Sequence, residues 1–373
     1  MLTQLGDLSI AEFLSDYWQK KPLIVRQAFP QYQSPISPDE LAGLSLEQEL
    51  ESRLIIEDTN SNDWLLEHGP LDENRFSALP SSHWTLLVQG VDALDPGVNQ
   101  LLNEFRFMPN WRLDDIMVSY ASDQGSVGPH FDYYDVFLIQ THGRRTWKLG
   151  QWCDANSELL DNCDLAILKS FEQTQEWVLE PGDMLYVPPR LAHWGIALGE
   201  SMNFSVGFRA PKTSELLSHF CDYVLQNIND DSHYVDPKLA PTDKPGLIQG
   251  DTLNGIKQMM MAAIDNANIK RWFGEFATQP RYPIATDDAY SGDVDEALSS
   301  DDEFIQVEGA RYAYSVDQDS VLLFINGETW VSTLTFAHQL CDVGIVKVDG
   351  LNEADLAVLV DLHSKLLVQL SNT

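Results

Sequence analysis

The stretch richest in chemical possibility is Gly128-Pro129-His130-Phe131-Asp132. On an extended strand, residues two apart point the same way. His130 and Asp132 would then offer an imidazole and a carboxylate to one side. His193 is the best-placed third group. It follows a Pro181-Gly182-Asp183 turn, a short apolar run and a Pro188-Pro189 stop, 61 residues after Asp132. That layout can return a distant strand end beside the first pair. Two imidazoles and one carboxylate on one face of a metal leave up to three positions open, the arrangement suited to Fe(II) and O2 chemistry. His-x-Asp alone means little: nine His and 36 Asp in 373 residues make about one such pair by chance. The signal is the combination, together with a cation 13 residues after Asp132. A 2-oxo diacid that chelates iron through its oxo-acid end needs its far carboxylate held. Arg145 could do this bidentately while staying charged in a dry pocket. Arg144 is adjacent, and strand parity leaves the choice between the two open.

These residues need a scaffold of strands. Asp115–Ala121, Asp135–Gln140 and Arg145–Leu149 read as strands, the last two separated by a Thr-His-Gly-Arg turn. Glu176–Leu179 and Met184–Val187 read as a hairpin about Pro181-Gly182-Asp183, and Asn203–Phe208 closes the set. Many short strands favour a β-sandwich or barrel over an α/β sheet. The pattern changes near Pro211. Thr213 or Ser214 could cap a helix carrying Leu216, Phe220, Val224 and Ile228. Asp251 could cap a second, with Leu253, Ile256, Met260 and Ile264 on one face. The Met259–Met261 run reads as core or interface packing. Asp287–Glu303 holds eight acidic residues and no Lys or Arg, and reads as a solvated linker. Beyond it, two strand-like runs flank Asn326-Gly327, a hairpin signal. A last helix carries Leu356, Leu359, Val360 and Leu367, with His363 packed on the same face.

Composition limits the partners. The chain has 23 Lys and Arg against 57 Asp and Glu, a net charge of −34. Phosphate backbones and anionic membranes need clustered cations, so neither is expected as a partner. A basic partner would be drawn in by such a field. The first residues lack a basic segment followed by an apolar run, no stretch is long and apolar enough to cross a membrane, and the four cysteines show no CxxC spacing. A cytoplasmic protein is expected.

The segments VGPHFDYYDVFLIQTHGRRTWKLG, EPGDMLYVPPRLAHWGIAL and SMNFSVGFRAP resemble the JmjC family of Fe(II)- and 2-oxoglutarate-dependent oxygenases. They are most similar to the bacterial ribosomal oxygenases, which hydroxylate an arginine of large-subunit ribosomal protein sixteen. The resemblance implies a mainly β fold with α elements. A double-stranded β-helix (jelly roll) JmjC domain would span 1–211, a helical dimerisation segment 212–286, an acidic linker 287–303 and a winged-helix-like α+β module 304–373. It places the iron ligands at His130, Asp132 and His193. It places the 2-oxoglutarate side-chain carboxylate at Arg145, assisted by Ser119, with Asn203 near the co-substrate. It implies Fe(II) as cofactor, 2-oxoglutarate and O2 as co-substrates, a basic ribosomal protein as substrate and a homodimer, with no general acid or base beyond the metal site. For the substrate side chain, Tyr134 shares strand parity with His130 and Asp132, and Asp123 and Asp135 are further candidates. Related asparaginyl hydroxylases carry Lys where Arg145 stands, which favours the ribosomal branch. Two alternatives remain at this point. One is a methyl-lysine demethylase of JmjC type, and the other a cupin-like metal-binding protein without oxygenase activity.

Overall fold

The computed structural model describes residues 1–59, 63–161, 163–228, 231, 233–237, 239–265, 268–282, 301–317 and 320–371. Most of the expected acidic linker lies outside the described residues, as does the end of the helical segment before it.

Two long antiparallel strands organise the first 210 residues. They are β8 (Val136–Trp152) and β11 (Leu191–Phe208), paired along most of their length. Around them a nine-stranded sheet is ordered β3 (Leu23–Val25), β10 (Met184–Val187), β8, β11, β7 (Leu113–Ala121), β6 (Trp84–Val88), β4 (Ser52–Asp58) and β5 (Asp63–His68), with β9 (Gln175–Leu179) also on β8. A two-residue pair, β1 (Gln4–Leu5) and β2 (Leu8–Ser9), precedes it. Helix α1 (Ile10–Asp16) and helix α2 (Pro38–Leu44) both start on a capping box, Ser9 with Glu12 and Ser37 with Glu40. The larger core is aromatic. Phe13, Phe105, Phe137, Tyr186, Phe204 and Phe208 are all buried, and Phe13 meets Tyr186 edge-on at 5.0 Å.

One turn and one hairpin expected from the sequence are absent, although the Pro181-Gly182 turn itself is present, closed by the Asp183 N–H to the Glu180 carbonyl at 2.9 Å. Thr141–Arg144 is not a turn, because β8 runs straight through it. Gly143 has φ +61°, and a Cβ there would lie 1.9 Å from the Glu200 carbonyl oxygen. The glycine serves a bulge, where the β8–β11 register shifts between Leu198 and Met202. Nor do β9 and β10 form a hairpin. Each pairs with β8, β9 along Arg145–Leu149 and β10 along Val136–Ile139, so they lie end to end on one edge. The jog between them is pinned by Asp183, whose carboxylate accepts from the backbone N–H of Gln27 at 2.9 Å and of Glu180 at 3.1 Å and from Arg26 at 2.6 Å.

Short helices α3 (Glu73–Ser77) and α4 (Pro96–Leu102) lie between strands. After the jelly roll come α5 (Thr213–Asn227), α6 (Gly250–Asp265) and α7 (Ile269–Thr278). Lys212, not Thr213 or Ser214, stands at the α5 N-cap, and Asp251 lies inside the first turn of α6. No described side chain of α6 is buried, and Leu253, Ile256, Met260 and Ile264 are exposed. The methionine run is therefore not core of this chain.

The last module has two three-stranded sheets. One is β16 (Ile345–Lys347), β12 (Glu303–Gln306) and β17 (Val368–Leu370); the other is β13 (Tyr312–Asp317), β14 (Ser320–Ile325) and β15 (Glu328–Ser332). Asn326-Gly327 makes the expected hairpin, with φ of 49° and 85°. Helix α8 (Leu334–His338) and helix α9 (Glu353–Ser364) pack on these sheets. In α9 the buried positions are Asp355, Leu359 and Leu362, while Val360 is exposed and Leu367 lies past the helix end. The His363 ring packs edge-on against Phe304, as the sequence suggested. Arg311 joins this module to the jelly roll by donating to the Leu113 carbonyl at 2.9 Å and to the backbone and carboxylate of Asp114.

Candidate metal centre and co-substrate cavity

His130 does not sit on a regular strand. Residues 131–135 are irregular, and β8 begins only at Val136. What places His130 is a two-bond bridge with His193. The His130 N–H donates to the His193 carbonyl at 3.0 Å, and the His193 N–H donates back at 2.8 Å. Gly128 makes the approach possible at φ +78°, where a Cβ would meet Ile167 at 2.8 Å. The Asp132 carbonyl accepts from the Arg190 N–H at 2.6 Å, which ties the third residue to the start of β11.

The two rings lie 4.2 Å apart between centroids. His130 Nδ1 is 2.9 Å from the Gly128 carbonyl oxygen, and His193 Nδ1 is 3.0 Å from that of Leu191. A carbonyl can only accept, so each Nδ1 carries the proton and each Nε2 keeps its lone pair. Asp132 Oδ2 lies 3.6 Å from His193 Nε2. One ligand atom from each residue falls within 4.8 Å of the others. Burial, reinforced by the neighbouring His130, pushes the His193 imidazole down to about 4, so it stays neutral and able to donate a lone pair. This donor set fits a divalent first-row metal with open positions.

Arg145 lies in the same cavity, of about 290 Å³. Its Nη1 donates to Ser119 Oγ at 3.2 Å, and its Nε donates to Ser201 Oγ at 3.3 Å. Arg145 is 6% exposed, and among the described residues no carboxylate pairs with it. Burial alone lowers it to about 10, so it remains a cation. A buried cation without a counter-ion is costly, and a bound carboxylate would relieve that cost. The residues thus suit a diacid whose other end reaches the metal. Arg144 is exposed, and of the two only Arg145 lines the cavity. Ser119 and Asn203 are direct partners across β7 and β11, and Ser119 Oγ donates to the Asn203 carbonyl at 3.2 Å. Trp147, 6.0 Å from the His193 ring, completes this wall.

The remaining wall carries Tyr134, Arg53, Gln89, Met117, Asp114 and Asp115. The charge of Asp132, with burial, holds the Tyr134 phenol well above its usual range. Asp123 and Asp135 are not brought to this cavity. Asp123 accepts from the Gly199 N–H at 2.7 Å in an exposed turn. Asp135 is fully buried and is bound by Tyr186 at 2.6 Å, Gln19 at 3.0 Å and Arg112 at 3.3 Å. Sequence reasoning missed Asp115, Met117 and Trp147, although parity with Ser119 and Arg145 would have found all three. Arg53 and Gln89 carried no such signal.

A jelly roll bearing this triad and a buried arginine clamp defines a 2-oxoglutarate-dependent dioxygenase of the JmjC class. The JmjC domain family model matches residues 100–216, and the ROXA-like winged helix model matches 258–370. The chain is 38% identical over 334 residues to the ribosomal protein uL16 3-hydroxylase of Escherichia coli K12, covering 86% of this chain and 85% of that one. It is 33% identical over 368 residues to a probable ribosomal oxygenase of Haemophilus influenzae, covering 95% and 89%. The structure of the E. coli ribosomal oxygenase YcfD in complex with cobalt and 2-oxoglutarate superposes with a TM-score of 0.86 at 34% identity, covering 99% of each chain. The chain belongs to the ribosomal oxygenase family of JmjC enzymes. Its cofactor is Fe(II), with 2-oxoglutarate and O2 as co-substrates.

Proposed function

We propose that the protein hydroxylates an arginine side chain of large-subunit ribosomal protein uL16. The observation that carries this is the single cavity. It has two imidazole Nε2 atoms and a carboxylate at one place, an unpaired buried Arg145 at another, and a wide acidic and phenolic side. Similarity to a uL16 3-hydroxylase supports the choice of protein.

His130, Asp132 and His193 hold the iron. Bound there with 2-oxoglutarate and O2, it supplies the oxidising power to insert one oxygen atom into a C–H bond while 2-oxoglutarate becomes succinate and CO2. Arg145 and Ser119 take the distal carboxylate of 2-oxoglutarate, and Asn203 borders its path. Trp147 and the walls of the cavity keep water from the reacting end. Tyr134 borders the place where the substrate side chain enters. No side chain need gain or lose a proton, so the chain's contribution is orientation.

The active species is a homodimer in the cytoplasm. The exposed apolar residues Leu217, Leu225, Leu253, Met260 and Ile264 on α5 and α6 support it, since one chain leaves them uncovered. The test is mass spectrometry. Purified protein with Fe(II), 2-oxoglutarate and a uL16 peptide should add one oxygen to arginine, and a His130→Ala variant should add none. Addition at another residue type, or loss of a methyl group from a methyl-lysine peptide, would replace this reading.

A further inference from the structure

Beside the catalytic cavity runs a groove of about 380 Å³ between the end of the jelly roll and helices α5 and α7. Cavity and groove share Tyr134, Asp114 and Arg281, so they are one continuous depression. Trp111 and Phe276 give the groove an aromatic floor, and the exposed side chains of Glu215, His219 and Gln279 rim it. We infer that this groove docks the stretch of basic substrate polypeptide that flanks the side chain delivered to the metal centre. The inference rests on the protein-substrate reading above and extends it to a surface built largely by the helical segment.

Three observations carry it. The walls are held in place, since Arg209 donates to the Ala277 carbonyl at 2.8 Å and to that of Gln279 at 2.9 Å, fixing the end of α7 against β11. The groove's own charges balance, since Arg209 and Arg281 share Asp114 with Arg311 and Glu215 adds a second carboxylate at the rim. Glu215 holds its carboxylate at the exposed rim, where it also accepts from the Lys212 N–H at 3.3 Å, on a chain of net charge −34 that draws in a basic polypeptide. The second copy is not the occupant. Glu215 and His219, four residues apart, share one face of α5. Leu217 lies on the opposite face, and with Leu225 on the flank it is exposed apolar surface that a second copy would cover. The His219 ring, 5.2 Å from that of Phe276, offers a flat platform to a passing backbone or side chain.

The test compares two uL16 peptides, one extending several residues on either side of the target and one trimmed to its immediate neighbours. Glu215→Lys and His219→Ala are made separately in the full chain. Each should raise KM for the long peptide on the order of fivefold, leaving kcat, the short peptide and peptide-independent 2-oxoglutarate turnover unchanged. Anisotropy of a labelled long peptide, with metal-free protein, should show the same weakening. Unchanged KM for the long peptide, or equal loss with both peptides, overturns the groove as a docking track. Failure of the unsubstituted protein to hydroxylate either peptide instead overturns the substrate assignment itself.

Discussion

At the scale of single residues, the site combines groups whose demands are left unmet within the chain. Arg145 is the clearest case, because a buried guanidinium bound only by hydroxyl and carbonyl groups lacks an anion. Replacing it with a neutral residue of similar length relieves that cost while removing the clamp. Arg145→Met should therefore leave the melting temperature of the metal-free protein unchanged or higher. It should weaken 2-oxoglutarate binding by roughly 100-fold or more, the scale of losing one partner of a buried ion pair. Scanning calorimetry of the metal-free protein reads the first quantity, and titration of 2-oxoglutarate into protein loaded with a redox-inert divalent metal reads the second. A large drop in melting temperature with intact affinity would contradict it. This residue also shows what the sequence could and could not disclose. The triad was legible because three residue types recur in a recognisable context. The choice of Arg145 over Arg144 came from the family resemblance and not from the strand pattern, because an assumed turn hid the parity of β8. The bridge that holds His130 against His193 was invisible for another reason: it depends on backbone atoms every residue has.

At the scale of elements, the site depends on two strands bending together. Gly143 and the Leu198–Met202 register shift bend β8 and β11 beside Arg145 and Ser201. Gly143→Val puts a branched side chain at φ +61°, with its Cβ on the Glu200 carbonyl. It should cost about 2–4 kcal/mol in chemical denaturation and weaken 2-oxoglutarate binding as well, since the bulge positions the clamp. A variant that loses stability with unchanged affinity would show the bulge to be structural only. The glycine and its polar neighbours looked like a turn because turns and bulges demand the same left-handed backbone. The turn at Asn326-Gly327 was read correctly because a strand-like run flanks it on each side. Strand β7 offers a second test. Burial pushes its Asp115 up to about 6, and pushes Asp92, whose carboxylate accepts from the Ile116 N–H at 2.7 Å, up to about 7. An unfolded aspartate titrates near 4. A carboxyl raised in the folded state gives its full stabilisation below about pH 4 and loses it as pH climbs through the folded value. Asp92→Asn keeps an acceptor but has no charge to bury. Its stability relative to the unsubstituted protein should rise by roughly 3–4 kcal/mol from pH 4 to pH 8. A pH-independent difference would rule out titration of Asp92 as the cause.

At the scale of the whole molecule, one property acts on everything: a net charge of −34 on 373 residues. No local motif encodes it, yet it should set opposite signs on three measurements. A basic protein substrate approaches down the field, so screening should slow encounter. Its kcat/KM should fall roughly tenfold between about 20 and 300 mM salt. 2-Oxoglutarate is itself an anion and approaches against the field until it meets the buried Arg145, which salt screens poorly. Its KM should therefore stay level or fall over the same range. The fold carries its own repulsion, which counter-ions relieve, so the melting temperature should rise with salt. A steady-state salt titration with both substrates varied in turn, beside a melting series in the same buffers, separates these effects. If kcat/KM for the basic substrate is flat while the melting temperature climbs, the charge serves the fold or its surroundings and does not steer the substrate. If it falls in parallel with a rising KM for 2-oxoglutarate, salt is acting on the metal and clamp instead of on the encounter.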